Sequence, residues 1–356
     1  MKAEDIIKSL PSGTDGLLIE SYENRLYFTG FASSAGLLFL SKKGSAFLTD
    51  FRYIEAARRQ VKCCQVIELK KIEEQLPKLA KKFDCKKVAF ETDRVSVARA
   101  EKLASLLGDV SLSKSNTAAR LISDLRAVKT KEEVEKVKVA QGIAEKAFDY
   151  ILGYIKPGMT EKEIALALDY HMLKNGAQAL SFNTIVAAGV NSSKPHAVPG
   201  EYKVAAGDFI TLDFGAIYEG YHSDMTRTLT LGSPSSEKQK VYKTVLTAQE
   251  AGLKALKPGL ACQAADAVCR DIIEKAGYGK NFGHGTGHGV GIEIHEAPTL
   301  SPTGKGKLKV GHLVTVEPGI YIAGAFGVRI EDMALITKKS YENLTASPKQ
   351  LISLPV

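Results

Sequence analysis

The chain of 356 residues exceeds one average domain, and its 44% hydrophobic and 25% charged content is that of a globular protein rather than a disordered or fibrous one. No apolar run approaches the roughly 20 residues of a membrane span, and the opening Met1-Lys-Ala-Glu-Asp-Ile-Ile-Lys lacks the apolar core of a signal peptide, so the expected compartment is the cytoplasm. The net charge of +8 is dispersed in pairs such as Lys70-Lys71, Lys81-Lys82 and Lys86-Lys87, without Trp or an aromatic-studded basic stripe, which argues against nucleic acid as a partner.

Residues 1 to about 120 alternate between strand and helix patterns. Gly16-Leu-Leu-Ile-Glu reads as a strand, and Gly36-Leu-Leu-Phe-Leu with Ser45-Ala-Phe-Leu-Thr as a hairpin turning at Lys42-Lys43-Gly44. Tyr53 to Val61 and Ile72 to Phe83 read as helices, Val88-Ala-Phe-Glu as a strand, and Val95 to Leu107 as a helix stopped by Gly108. The pattern predicts an α/β unit with a mixed sheet. The five cysteines, Cys63, Cys64, Cys85, Cys262 and Cys269, include no C-x-x-C pair, so neither a disulfide framework nor a zinc knuckle is expected.

A second domain is expected to start near a capping box at Thr130 and Glu133, which gives residues 1–124 and 125–356 as the two domains. Val134, Val137 and Ile143 recur at helical intervals after that cap. Lys156-Pro157-Gly158 ends this helix, and Thr160 with Glu163 caps the next. Lys257-Pro258-Gly259 repeats the helix-Pro-Gly-helix arrangement about 100 residues later. Strands follow each pair, so the domain reads as a duplicated α+β half.

The chemistry concentrates in three stretches of this second domain. Thr211-Leu-Asp213-Phe-Gly leads through a Tyr218-Glu-Gly turn to Tyr221-His-Ser-Asp224, and a turn centred between Tyr218 and Glu219 would set Asp213 opposite Asp224. Their β-carbons would then lie about 5 Å apart, a like-charge contact that calls for a proton or a cation. Glu317 and Glu331 are likewise symmetric about Gly324, each inside an apolar run where a bare charge is costly. Between the hairpins, Phe282-Gly-His284-Gly-Thr-Gly-His288-Gly-Val-Gly-Ile-Glu-Ile-His295 has too many glycines for a helix. As an extended segment it puts His284, Thr286 and His288 on one face, and His295 needs a bend after Gly291 to join them.

Four carboxylates and an imidazole bring four negative charges, which two divalent ions would balance. A bridging hydroxide would leave about one negative charge, and Arg329, on the same strand face as Glu331, is placed to offset it. Oxygen-rich donors with one imidazole suit manganese, iron(II) or cobalt, and a thiol-rich structural zinc site is disfavoured.

The order and setting of these residues resemble the pita-bread metallopeptidases, and within them the Xaa-Pro peptidases of the prolidase and aminopeptidase P type. The matching motifs are Leu212-Asp213-Phe-Gly, Ser223-Asp224-Met-Thr-Arg-Thr, Gly285-Thr-Gly-His288-Gly-Val-Gly, Ile294-His295-Glu-Ala-Pro, Val316-Glu317-Pro-Gly-Ile-Tyr and Val328-Arg329-Ile-Glu331-Asp. Lys194-Pro-His196 also matches, and Asn24-Arg-Leu-Tyr-Phe-Thr-Gly-Phe and Leu48-Thr-Asp-Phe-Arg-Tyr look like that family's N-terminal domain.

The resemblance implies a two-domain chain with a C-terminal pita-bread catalytic domain. It implies two divalent ions, manganese foremost with cobalt, zinc or iron as alternatives. Asp213 would hold one and His288 with Glu317 the other, while Asp224 and Glu331 would bridge. Glu317 would also move the proton of the attacking water. His196 and His295 would stabilise the transition state, His284 would line the pocket and Arg329 would brace the carboxylates.

The implied reaction is hydrolysis of the bond before proline in Xaa-Pro dipeptides, by a homodimer. An aminopeptidase P acting on longer peptides, a creatinase-like hydrolase and a catalytically inert pita-bread binding module are the competing readings. The last two types lack the full ligand set that stands here, and a methionine aminopeptidase would lack the N-terminal α/β domain.

Overall fold

The computed structural model describes residues 2–356, which divide into two compact units between Arg126 and Ala127. The 124/125 junction read from the sequence lies within the helix Thr117–Ala127.

In the first unit the strands lie in the order Gln65–Glu68, Gly44–Thr49, Leu37–Ser41, Gly16–Ile19, Lys87–Phe90 and Ser111–Ser113. The two neighbours of Leu37–Ser41 pair with it antiparallel, and the outer strands add in parallel, which makes the sheet mixed. The continuous apolar runs Gly16–Ile19 and Leu37–Ser41 are buried along their length because helices cover the sheet. Ile72–Lys82 and Val97–Leu107 do so from the same core, through Leu76, Leu79, Leu103 and Leu107. A further helix, Tyr22–Thr29, runs through the Asn24-Arg-Leu-Tyr-Phe-Thr segment; Ser21 caps it and Gly30, in the left-handed region, ends it.

The second unit is built twice over. Lys131–Tyr154 and Glu161–Lys174 each begin with a complete capping box, Thr130 with Glu133 and Thr160 with Glu163. This helix pair packs on the sheet ordered Ser353–Leu354, Met225–Leu231, Phe209–Phe214, Ile185–Ala188, with Phe148, Ile151, Ile164 and Leu168 meeting Ile210, Leu212 and Leu229. The pair Ser236–Ala255 and Cys262–Lys275 packs through Val241, Val245, Ala265 and Cys269 against Val314, Val316, Ile320 and Val328. The strands it covers run in the order Glu296–Leu300, Gly287–Gly289, Leu313–Val316, Asp332–Ile336, Tyr341–Asn343, with Gly319–Ile322 and Phe326–Arg329 as a separate ribbon. This duplicated helix-pair-on-sheet is the pita-bread architecture. Among the described residues, no helix is long and apolar enough to cross a membrane.

One histidine outside the motif stretches sits in this frame. His312 is 5% exposed, bridges to Val128 through the backbone and accepts the Lys309 amide on Nδ1 at 3.3 Å. Burial, and then the charges of Lys129 and Lys309, hold its imidazole down at about 4 from an ordinary 6.5. The unfolded chain therefore binds a proton that the folded chain refuses, and folding stability falls as pH drops from about 6.5 towards 4. In urea unfolding at pH 7 and at pH 4.5, His312→Gln is expected to lose less stability across the interval than the parent chain; equal slopes would contradict the assignment.

Candidate metal centre

The two acidic hairpins are built differently. Leu313–Val316 pairs with Asp332–Ile336, and Gly319–Ile322 with Phe326–Arg329, in one unbroken register that sets Val316 opposite Asp332 and Gly319 opposite Arg329. Glu317 and Glu331 fall at matching positions in the gap between these two ladders, where Pro318 has no amide hydrogen to continue the pairing. The free amides turn elsewhere: Glu317 N–H donates to the Thr286 carbonyl at 2.8 Å, and Glu331 N–H to the Thr226 carbonyl at 3.1 Å. The joint of one hairpin is thereby tied to the His288 strand on one side and to the Asp224 strand on the other.

The aspartate hairpin departs from the expected register. Its turn is Glu219-Gly220, both at positive φ (46° and 79°), closed by Tyr218 opposite Tyr221. Asp213 consequently faces Thr226, with Asp224 displaced to the diagonal position on the same face. The two aspartates are not directly opposed, because the turn lies one residue later than the sequence symmetry implied. A displacement of two along the partner strand preserves the face, so both carboxylates still point one way. Thr226 gains the place between them: its hydroxyl donates to Glu331 Oε2 at 2.7 Å and receives Arg329 Nε at 3.2 Å.

The glycine-rich segment is extended over Gly287–Gly289, with close backbone approach as the reason for its glycines. A Cβ on Gly287 would run into the Thr315 carbonyl, and one on Gly289 into Ala297. The chain bends over residues 291–295 and returns His295 to within 4.3 Å of the His288 ring. His288 Nδ1 donates to the Gly289 carbonyl at 3.0 Å, which leaves Nε2 turned towards the carboxylates. Nε2 faces Glu317 Oε1 at 3.2 Å and Asp224 Oδ2 at 3.7 Å.

Asp224, His288 and Glu331 offer ligand atoms that all lie within 4.8 Å of one another. Glu317 joins through His288, and its Oε1 also receives the Thr315 hydroxyl at 3.1 Å. Arg329, 4% exposed, fixes Asp213 through Nη2 at 2.5 Å and reaches the Tyr321 hydroxyl and the Pro195 carbonyl through Nη1. His284 lies further out, with Nε2 at 2.9 Å from the Tyr321 hydroxyl. His196 lies on an exposed turn next to Pro195, near enough for its charge to act on His284 and His295.

Thr226, Thr315 and Tyr321 are the polar contacts that motif reading passed over. Thr226 was recoverable from its parity with Asp224, and Tyr321 from its place two residues past Gly319. Thr315 has a comparable signal, since it shares a strand face with Glu317.

Electrostatics show what this shell lacks. Burial drives Asp224 and Glu331 well above the usual carboxylate range, and the neighbouring carboxylates, Glu331 on Asp224 and Glu317 on Glu331 foremost, push them further. Asp213 is raised too, by burial against the pull of Arg329. Glu317 goes the other way despite its burial: without a cation, a proton on His288 Nε2 is donated to it and pulls it down to about 2, and the same contact raises His288. Asp213 Oδ1 and Glu331 Oε1 are buried without a hydrogen-bond partner among the described residues, while the second oxygen of each is taken by Arg329 or Thr226. Buried acceptors with nothing to accept are rare. A cation taking the place of the His288 Nε2 proton satisfies the free oxygens and the charge imbalance together, so the residues present fit divalent metal.

Behind the site, Arg227 is buried and spends all its donors: Nε on the Pro348 carbonyl, Nη1 on the Thr226 and Glu331 carbonyls, and Nη2 on Asp332 and the Ser347 carbonyl. It clamps the two segments that carry Asp224 and Glu331 from their far side.

The profile of metallopeptidase family M24 matches residues 135–338, and that of the creatinase/prolidase N-terminal domain matches residues 11–128. The chain belongs to metallopeptidase family M24 and is a metal-dependent peptidase. The Bacillus subtilis peptidase YqhT is 42% identical over 343 residues, 96% of each chain. The solved structure of an Xaa-Pro dipeptidase from Bacillus anthracis superposes with a TM-score of 0.94 at 42% identity, covering 99% of this chain and 100% of the other. That of an X-Pro aminopeptidase from Thermotoga maritima MSB8 does so with a TM-score of 0.92 at 37% identity, covering 100% of both.

Neutralising one carboxylate should act in opposite directions with and without metal. In chelator, Asp224→Asn relieves like-charge repulsion and is expected to raise stability by on the order of 1 kcal/mol, about 2–4 °C for a domain of this size. With manganese at about 100 times its dissociation constant, the parent gains about 2.7 kcal/mol per bound ion and the variant gains less. Thermal melts in the two buffers check this, and a variant less stable than the parent in both would contradict it.

Proposed function

We propose that this protein is an Xaa-Pro dipeptidase that uses two divalent ions, manganese foremost, with cobalt, zinc or iron as substitutes. It would hydrolyse the peptide bond before proline and release the N-terminal residue of a dipeptide. The observation that carries the reading is the joint of the Glu317/Glu331 hairpin, where carboxylates with free oxygens and His288 Nε2 converge on one buried space.

Asp213, Asp224, His288, Glu317 and Glu331 would hold the ions, with Asp224 and Glu331 shared between them. Bound there, the ions would acidify a water to a nucleophile at neutral pH and polarise the scissile carbonyl. Glu317, whose Oε1 stands 3.2 Å from His288 Nε2, would take the proton of the attacking water and pass it to the departing nitrogen. That transfer is essential, since the imide nitrogen before cleavage carries no hydrogen of its own. His295 and His196 would donate to the oxygen that gains charge in the transition state. Burial favours the neutral form of His295, as does the charge of neighbouring His288. His284 and Tyr321 would form the pocket wall, and Arg329 would keep Asp213 ionised and oriented.

The named structural relatives include both a dipeptidase and an aminopeptidase, so an aminopeptidase P activity on longer Xaa-Pro-Xaa peptides is the second reading. Both relatives are matched over their whole length, and the dipeptidase is preferred for its higher identity, 42% against 37%. We further propose a homodimer in the cytoplasm; five free thiols suit a reducing compartment.

Purified protein should release the first residue faster from Xaa-Pro than from Xaa-Pro-Xaa, with manganese, cobalt and zinc each added back after chelation. Asp224→Asn should abolish turnover, and His295→Ala should lower it by about 10²–10³. Full activity after exhaustive chelation would overturn the metal mechanism. Faster cleavage of the tripeptide would favour the aminopeptidase.

A further inference from the structure

We propose that Cys63 and Cys64, in the N-terminal unit, form a vicinal dithiol site that captures trivalent organoarsenicals. The two residues follow the helix Ile54–Gln60 and precede the edge strand Gln65–Glu68, where Cys63 is exposed and Cys64 half-buried. Their Sγ atoms lie 3.8 Å apart. That is too far for a disulfide, which needs about 2.05 Å, yet close enough for one bridging atom to bond both sulfurs. A tetrahedral zinc with Zn–S bonds of about 2.3 Å would span a similar gap but requires four donors. Among the described residues, no third Cys, His or carboxylate completes such a set here, because the one cluster of three or more is the catalytic one. An organoarsenic(III) centre, with its own carbon substituent, is completed by two thiolates.

Cys63 is also chemically distinct from the other thiols. Cys85, Cys262 and Cys269 are buried, and burial pushes Cys85 up to about 11 and Cys269 up to about 12 and raises Cys262 as well, so all three stay protonated. Contact with Cys64 brings Cys63 down to about 7, against its partial burial, and raises Cys64, so the Cys63 thiolate opens the capture and the Cys64 thiol closes it.

With phenylarsine oxide as the probe, two As–S bonds form and two S–H bonds and the As=O bond break. Both protons leave with the oxygen as one water, and arsenic remains trivalent, so no oxidant is needed. The second bond closes within the first adduct, which should slow release by about 10²–10⁴-fold relative to a single thiol.

The test is intact mass and peptide mapping of the whole chain after one equivalent of phenylarsine oxide, followed by a challenge with excess 2-mercaptoethanol. The expected result is one adduct on the Cys63-Cys64 peptide that survives the monothiol and is removed by 2,3-dimercaptopropanol. Cys63→Ser and Cys64→Ser should each lose the arsenical to the monothiol. An adduct that maps to Cys85, Cys262 or Cys269, or parent protein that releases it as fast as the serine variants, would overturn the proposal. Neither outcome depends on the peptidase reading.

Discussion

The molecule is organised around the burial of four carboxylates in one space. Charges removed from water at such separations oppose folding, and a protein tolerates them only with protons, cations or well-placed donors. Arg329 on Asp213 and the Thr226 hydroxyl on Glu331 each satisfy one oxygen and leave the other unsatisfied, while the Thr315 hydroxyl holds Glu317 Oε1. The arrangement is costly for the bare chain and suited to a chain carrying metal. It concentrates instability where binding can repay it, as pre-organised sites do.

The duplicated fold supplies the rigidity for this. Each helix pair anchors its own sheet; Asp224, Glu317 and Glu331 stand where the strand ladders pause, before Met225, after Val316 and before Asp332, while Asp213 lies within the strand Phe209–Phe214. At these pauses the backbone amides are released from pairing and can link one strand to another, as Glu317 N–H does to Thr286 and Glu331 N–H to Thr226. Arg227 and Asp332 lock the reverse side, with Lys349 and Gln249 completing the hydrogen bonds of a fully buried Asp332. Metal ligands are therefore held by backbone links in front and by an ion network behind, neither of which faces solvent.

Much of this was legible in the sequence because local rules and global fold agree. Both capping boxes form as read, and the symmetry of Glu317 and Glu331 about Gly324 survives as real register because a Gly sits at the turn. The aspartate hairpin was misread by one turn position: Glu219 adopts positive φ, which a non-glycine residue rarely does. The conclusion that both aspartates share a face survived only because the resulting offset is even. The role of Arg227 was illegible, since its partners Pro348, Ser347 and Asp332 lie more than 100 residues away. The helix Tyr22–Thr29 escaped notice because its aromatic and β-branched residues favour strands locally and only its caps mark it as helical.

The central claim, that the two acidic joints and His288 together hold a pair of ions, is tested most directly by counting metal. Protein stripped by chelation, reloaded with manganese and desalted should contain two ions per chain by plasma mass spectrometry. Asp213→Ala should fall towards one, and Asp224→Ala towards none. One ion per chain in the parent protein, or the same loss from both variants, would contradict the account.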